Sequence, residues 1–474
     1  MRSYDAIVIG SGPNGLSAAI TLAESGCSVL VVESHDRIGG GVRSSCLTRE
    51  GFIHDQCASI FPLTHASPFF RTLPLEDYGL EWIFPRLQLA HPLDDGTAVV
   101  VERSLEATAL KLGADGGSYQ RLLAPLLADW ERFVEDLLGP LPLPPRAAMT
   151  FFQFGLGALR SARSLAKGLF SEERARALFA GLSAHGILPL ETPSSGAYGI
   201  VLPLLAHAVG WPMPRGGAQN LSDALQAHLT SMGGEVITSM HIDALDQLPE
   251  ARAYLFDISP RALLKIFGDQ FPARYRRQLE KYRYGPGVFK IDFALDGPVP
   301  WKAPECAEAG TLHLCGTMEE ISTSERLIGR GQHPERPFTL AAQHSMFDPS
   351  RAPDNKHTLW AYCHVPNGST FDMTERIISQ IERFAPGFRR LILDYHTRTA
   401  IQMEAYNPNY VGGDINVGVQ DLWQLYARPA IRLEPYTTPL KHVFLCSSAT
   451  PPGGGVHGMC GYYAAKSALR QIES

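Results

Sequence analysis

The sequence has no run of lysine or arginine, and its formal net charge over 474 residues is -6. That is the wrong field for gripping a phosphate backbone, so nucleic acid is excluded as a partner. It also lacks any C-x-x-C pair: the eight cysteines scatter at 27, 46, 57, 306, 315, 363, 446 and 460. Dithiol redox chemistry and zinc-type spacing are thereby excluded, and the thiols read as reduced residues of a reducing compartment with no metal site. A leader is not expected, because Met1-Arg2-Ser3 runs almost at once into an apolar strand. The longest mostly apolar stretch, residues 196–211, is interrupted by Pro203 and His207 and is too short to span a bilayer, so it reads as a buried or interfacial helix. The expected location is cytoplasmic, with peripheral membrane contact left open.

Hydrophobic residues, at 45%, and glycine, at 44 residues, are in good supply. The length suggests two or three domains, each with its own interior. Two glycine clusters stand near the two ends, "GSGPNG" at 10–15 and "GGGVHG" at 453–458, both with the spacing G-x-G-x-x-G. They could mark two dinucleotides or one held from both ends.

The first cluster follows a short apolar strand, "YDAIVIG", and opens a helix with Leu16, Ile20 and Ala23 on one face. A second strand, "CSVLVVE", ends at Glu33. Each part has a task in a Rossmann unit: Gly10 for the tight turn, Gly12 for close backbone approach to a diphosphate, Gly15 for packing of helix on strand. Pro13 and Asn14 complete the turn. Glu33, with Ser34 beside it, stands where a carboxylate accepts ribose hydroxyls and repels a 2′-phosphate. A second glycine-rich loop follows, holding Arg37, Gly39, Gly40, Gly41, Val42 and Arg43. Its bare backbone and two cations suit the diphosphate and ribityl chain of FAD; the alternative is a solvated basic loop. The R-x-G-G-x-x-R spacing resembles FAD-dependent amine oxidases and carotenoid desaturases.

The second cluster cannot be a separate Rossmann unit, because no chain remains for the strand and acid that would follow its helix. It reads as a closure on the first cofactor, with the glycines admitting backbone to the flavin ring and the last helix aiming its positive end there.

Four segments, "GSGPNGLSAAITLAESG", "RIGGGVRS", "PRGGAQNLSDALQAHLTSMGGEV" and "LEPYTTPLKHVFLCSSATPPGGGVHGMCGYYAA", look like the phytoene-dehydrogenase-related flavoproteins. That group, within the amine-oxidase-type superfamily, includes bacterial carotenoid desaturases and retinol saturases. The likeness is specific at both ends and faint between 85 and 205. It implies flavin contacts from Pro452, Gly453, Gly454, Gly455, Val456 and Gly458, with Met459 following, and an adenine contact from Ile242. It also implies an α/β fold: a Rossmann-type FAD-binding domain of the two-dinucleotide-binding-domain kind, with an inserted α+β substrate domain. The expected boundaries are 1–85, 205–284 and 405–474 for the FAD domain, and 86–204 with 285–404 for the substrate domain, helical at about 105–204.

Within the insert, "SYQRLLAPLLADWERFVEDLL" has helical periodicity and "PLPLPP" at 140–145 is a stiff break. Residues 154–179 interleave Leu and Phe with Arg160, Arg163, Lys167, Arg174 and Arg176. They form either a solvated helix face or a surface that could rest on an anionic membrane. A later helix is expected to begin at a capping pair, Asp372 and Glu375, and to turn Ile377, Ile381 and Phe384 inward.

Two candidates for chemistry stand out. Lys290 shares a strand face with Val288 and Asp292, and its strand looks like that of monoamine and polyamine oxidases whose lysine reaches the flavin through water. A salt-bridged lysine is the competing reading. His457 could donate a proton from the flavin-facing turn, or could merely cap a helix.

The expected activity is FAD-dependent hydride transfer at carbon of an apolar, isoprenoid- or polyene-like molecule, as desaturation, saturation or dehydrogenation, with oxygen or a quinone as acceptor. Two alternatives stand beside it. One is a soluble amine oxidase, weakened because the ring expected over the flavin aligns with Gly455, although Tyr406 or Tyr410 could supply one. The other is a flavin-holding interaction protein with little turnover.

Overall fold

Short runs of β-branched and aliphatic residues, apolar on both faces, make parallel strands that helices must cover on both sides. Five such runs form one parallel sheet in the computed structural model, which describes residues 3–140 and 144–473. Its order is Val443–Leu445, Ala251–Phe256, Tyr4–Ile9, Val29–Val32, Glu235–Ile237. Strands from the start, middle and end of the chain thus lie side by side. Ala6, Val8, Val29 and Val31 pack under helices Pro13–Glu24, Gln219–Ser231 and Met459–Ile472. The alternate residues Ile7, Ile9, Leu30 and Val32 pack against Leu263 and Phe267 on the other side. Successive strands leave Tyr4–Ile9 toward opposite edges, so a crevice opens at its carboxyl end, where a doubly wound sheet receives its ligand.

A second, mixed sheet has seven strands in the order Ile392–Arg398, Gly287–Leu295, His357–Val365, Thr339–Ala342, Ala309–Leu314, Leu87–Pro92, Ala98–Glu102. All neighbours are antiparallel except Ala309–Leu314 with Leu87–Pro92. By alternation along the strand, Phe289, Ile291 and Phe293 face Ile377, Ile381 and Phe384 of the helix Thr374–Phe384. The opposite face carries Lys290 and Asp292, buried in the interior of the molecule.

The capping pair expected for that helix is only half present. Asp372 Oδ1 accepts from Thr374 N–H at 2.8 Å, but Glu375 reaches Arg389 at 2.9 Å instead of turning back to the helix start. The run at 118–138 is two helices, Gly116–Ala128 and Trp130–Leu137. Pro125 removes an N–H from the first of them, and the chain turns at Asp129. Of the proline-rich break, residues 141–143 lie outside the described residues. The 154–179 stretch spans parts of three helices. Arg163 pairs with Glu191 and Glu319, and Arg174 and Arg176 donate to the Ala98 and Phe170 carbonyls. Arg160, although exposed, donates to the Ser164 carbonyl at 3.2 Å, and Lys167 is exposed. Among the described residues no helix is long and apolar enough to cross a membrane, and all eight cysteines are free.

Candidate functional site

At the crevice, the first strand ends in a turn that only glycine can make. Gly10 has φ +101°, and a Cβ on Gly15 would stand 2.0 Å from the Gly10 carbonyl oxygen. The helix begins at once, with Pro13, which has no N–H, in its first position; its N-cap Gly12 has no side chain to cap it, and the carboxyl of Asp257 takes the Gly15 N–H at 3.0 Å. Glu33, buried at the tip of the second strand, accepts from Ser11 N–H at 2.9 Å, Ser11 Oγ at 2.6 Å and His35 N–H at 2.8 Å. Ser34 donates to it at 3.3 Å.

The glycine-rich loop lies over this turn. A Cβ on Gly40 would come within 3.0 Å of Gly12 Cα, and one on Gly41 within 2.0 Å of Tyr410 Oη. Tyr406 Oη donates to the Gly40 carbonyl at 2.8 Å. Arg43 is buried 3.5 Å from Glu33 and stacks over the Tyr406 ring at 5.5 Å. Arg37 lies apart, exposed and donating to the Ser44 carbonyl at 3.1 Å. Gly39 and Val42 shape the loop from behind: Gly39 N–H donates to the Ser11 carbonyl at 3.0 Å, and Val42 packs in the core.

Together these segments enclose a cleft of about 420 Å³. It runs from Glu33 and Ser34 past Gly12 and Asn14 to Tyr406 and Tyr410, with Ile242 on one wall and Ser447 and Ser448 on another. Gly10, Pro13, Gly40, Gly41 and Arg43 complete the lining named by the sequence. A narrow, glycine-floored groove with an acid at one end and aromatic rings at the other fits an extended dinucleotide, and a Cβ at 12, 40 or 41 would strike Asp257, Gly12 or Tyr410 of its lining.

The tail meets the head here. Asn14 Nδ2 donates to Ser448 Oγ at 3.2 Å, and the last helix lies on the first so closely that a Cβ on Gly461 would clash with Asn14. Gly453, Gly455 and Gly458 all take positive φ, and the turn they build is tied to residues 64–67 by Thr64 Oγ1 and Ser67 Oγ, which donate to the Val456 and His457 carbonyls. His457 is buried within this turn. Its Nδ1 accepts from Met459 N–H and its Nε2–H donates to the Gly453 carbonyl, both at 3.1 Å, while burial pulls its pKa down to about 4. A proton-donating His457 does not fit this placement, because both ring nitrogens are engaged inside the turn. Nor does the last helix leave its first amide free for an anion: His457 takes it, and of the flavin contacts expected in the tail none, from Pro452, Gly453, Gly454, Gly455 and Val456 to Gly458 and Met459, lines the cleft, which Ser447 and Ser448 reach instead.

On the far side of the same turn is a second cavity, about 210 Å³ and largely apolar. Pro452, Gly454 and His457 form one wall, and Leu138, Phe151, Phe154 and Val201 of the helical region form the others. The turn from 447 to 458 is therefore a partition between the groove and an apolar chamber.

Lys290 lines neither of the two cavities. Its ammonium pairs with Asp292 inside the protein and lies 5.7 Å over the Trp360 ring; burial pulls its pKa down against the pull of that carboxylate. Two buried acids that the sequence does not single out, Asp257 and Asp55, bear on this region. Asp257 sits under Gly12 and accepts from Gly15 N–H at 3.0 Å. Asp55 holds Arg351 by two bonds of 3.0 and 3.2 Å, and despite the cost of burial that guanidinium keeps its carboxyl well below the usual range. An acid directly after an apolar strand, as in "YLFD", was the available signal for Asp257.

The profile of the NAD(P)-binding Rossmann-like domain matches residues 8–73, the strand, turn, helix, acid and loop just described. The chain carries a Rossmann-like dinucleotide-binding unit. Over 99% of its length it is 25% identical to the rat pyridine nucleotide-disulfide oxidoreductase domain-containing protein 2, covering 94% of that protein. It is 22% identical to a limonene dehydrogenase component of Castellaniella defragrans, over 100% of this chain and 95% of the other. Among solved structures, putrescine oxidase bound to putrescine has the same fold, with a TM-score of 0.63 at 16% identity and complete coverage of both chains.

Proposed function

We propose that this chain is an FAD-dependent oxidoreductase that moves hydride at a carbon of an apolar molecule, isoprenoid- or polyene-like in character. The observation that carries the reading is the shared partition: one turn, 447–458, walls both the dinucleotide groove and the apolar chamber. Bound FAD would supply the hydride partner. The chain supplies the rest. Glu33 would take the ribose hydroxyls, and the backbone at Gly12 and Asn14, at the positive end of the first helix, would face the diphosphate. Tyr406 and Tyr410 close the far end over Gly40 and Gly41, and the leucine and phenylalanine walls of the chamber keep water from the reacting carbon. FAD is favoured over NAD because the glycine-rich loop prolongs the groove beyond what one nucleotide pair with a simple turn would need. The likeness to a protein named for limonene, an apolar isoprenoid, supports the substrate class. Oxygen or a quinone would accept the electrons.

A second reading, amine oxidation, has the buried Lys290 and the two tyrosines in its favour. Against it, the position where an aromatic ring would be expected is Gly455, whose Cβ would meet Leu63 Cδ1 at 2.5 Å. No ring fits there. Anaerobic titration of the flavin-loaded chain with isoprenoids, retinoids, polyenes and amines separates the two: bleaching by apolar polyenes or terpenes is expected, and bleaching by amines alone would overturn the proposal.

A further inference from the structure

We propose that Asp257 binds the cofactor's diphosphate as a neutral acid, so that the chain takes up a proton as the dinucleotide enters. This rests on the dinucleotide reading of the groove and deepens it. Asp257 extends the ladder of the strand Ala251–Phe256: its N–H donates to the Ile9 carbonyl at 2.7 Å, which fixes its side chain at the carboxyl end of the sheet. There it lies directly beneath the bare turn. The Cβ missing from Gly12 would be 2.7 Å from Asp257 Oδ2, and that missing from Gly10 would be 3.1 Å from Asp257 Cβ. Oδ2 accepts from Gly15 N–H at 3.0 Å, and the carboxyl also lines the groove. It therefore occupies the positive end of the first helix, where the diphosphate must arrive.

The groups facing it offer no compensating charge. Glu33 is itself an acid, and the guanidinium in the groove lining, Arg43, stands 3.5 Å from Glu33. Cys446, at the end of the strand Val443–Leu445, and Cys460, in the last helix, are buried thiols whose pKa burial raises, so neither is charged at neutral pH. Among the described residues no cation is in ion-pair contact with Asp257. Burial, with a smaller push from Glu33, lifts its pKa to about 7, although the Gly15 bond works the other way. A diphosphate adds further negative charge beside an acid already poised to lose its own. Protonation removes that repulsion and supplies an O–H donor at the same stroke.

The test is isothermal calorimetry of FAD binding to the deflavinated full-length chain, in buffers of low and high ionisation enthalpy, for wild type and Asp257→Asn. At about pH 8 wild type should take up close to one proton, and its affinity should fall about tenfold per pH unit above pH 7. The asparagine variant, which keeps size and hydrogen bonding, should bind with no proton uptake and no such slope. Binding of wild type without a linked proton would overturn the inference, and that proton count decides the matter even if the variant does not fold. Binding of NAD but not FAD would overturn the flavin reading alone, since a proton taken up with NAD still supports Asp257 as the neutral donor.

Discussion

Gly461 in the last helix lies so close to Asn14 in the first that a Cβ built on it would stand 1.8 Å from the Asn14 carbonyl oxygen. No side chain fits between the two helices. Gly461→Ala should therefore force them apart at a cost of about 2–3 kcal/mol, and should loosen the Asn14–Ser448 bond that joins groove and tail. Thermal unfolding and flavin retention on a sizing column check this. An unchanged midpoint with full flavin content would mean that the tail does not depend on this contact.

The buried Lys290–Asp292 pair predicts an asymmetry. Lys290→Met strands a carboxylate in the interior and should cost about 3–5 kcal/mol, whereas Lys290→Met combined with Asp292→Asn should recover most of that loss. If Lys290 also serves the flavin, the single variant should slow flavin reduction or reoxidation at least tenfold, about 1.4 kcal/mol of barrier. Chemical denaturation and stopped-flow rates separate the two roles, because the double variant restores stability but not rate.

Burial also sets a pH dependence. His54, His91, His207 and His457 are pulled down to about 4, and His185 and His344 to about 3. Below the ordinary histidine pKa the unfolded chain binds protons that the folded chain refuses, so stability should fall as pH drops from about 6.5 toward 4. Asp257 has the opposite sign: its raised pKa contributes stability that is present at low pH and lost as pH rises through about 7. Urea midpoints at about pH 5 and pH 7 should show the histidine loss, and Asp257→Asn should raise the flavin-free midpoint at pH 7 more than at pH 5.

Val201 lines the apolar chamber but not the groove. Val201→Trp should fill that chamber and reduce turnover of the apolar substrate by an order of magnitude or more, with the flavin spectrum and flavin content unchanged. Loss of flavin in this variant would show that chamber and groove are not separated by the turn in the way described.

Much of this was legible in local sequence, for a physical reason. The strand, glycine turn, helix and Glu33 lie within the first 33 residues, each dictated by its own backbone geometry and period. The packing of the tail on the head was legible only as a pattern of small residues: Gly461 and the glycines at 453–458 allow the close approach to Asn14 and to residues 64–67, but no local period says which partner they meet. Asp257 and the Asp55–Arg351 pair were not legible. Their partners lie 242 and 296 positions away in the chain, and only the folded sheets bring them together. His457 shows the converse. A histidine in a glycine turn suggests chemistry, but its ring nitrogens satisfy the backbone of the turn itself. The charged run at 154–179 was likewise ambiguous until the partners of Arg163, Arg174 and Arg176 were visible.

The central claim is that the head and tail of the chain hold one FAD between them. The most direct measurement is to purify the full-length protein, release its cofactor by denaturation, and identify and count it by chromatography and mass. One FAD per chain is predicted; NAD alone, or no dinucleotide from a chain that also fails to bind added FAD, would contradict the account.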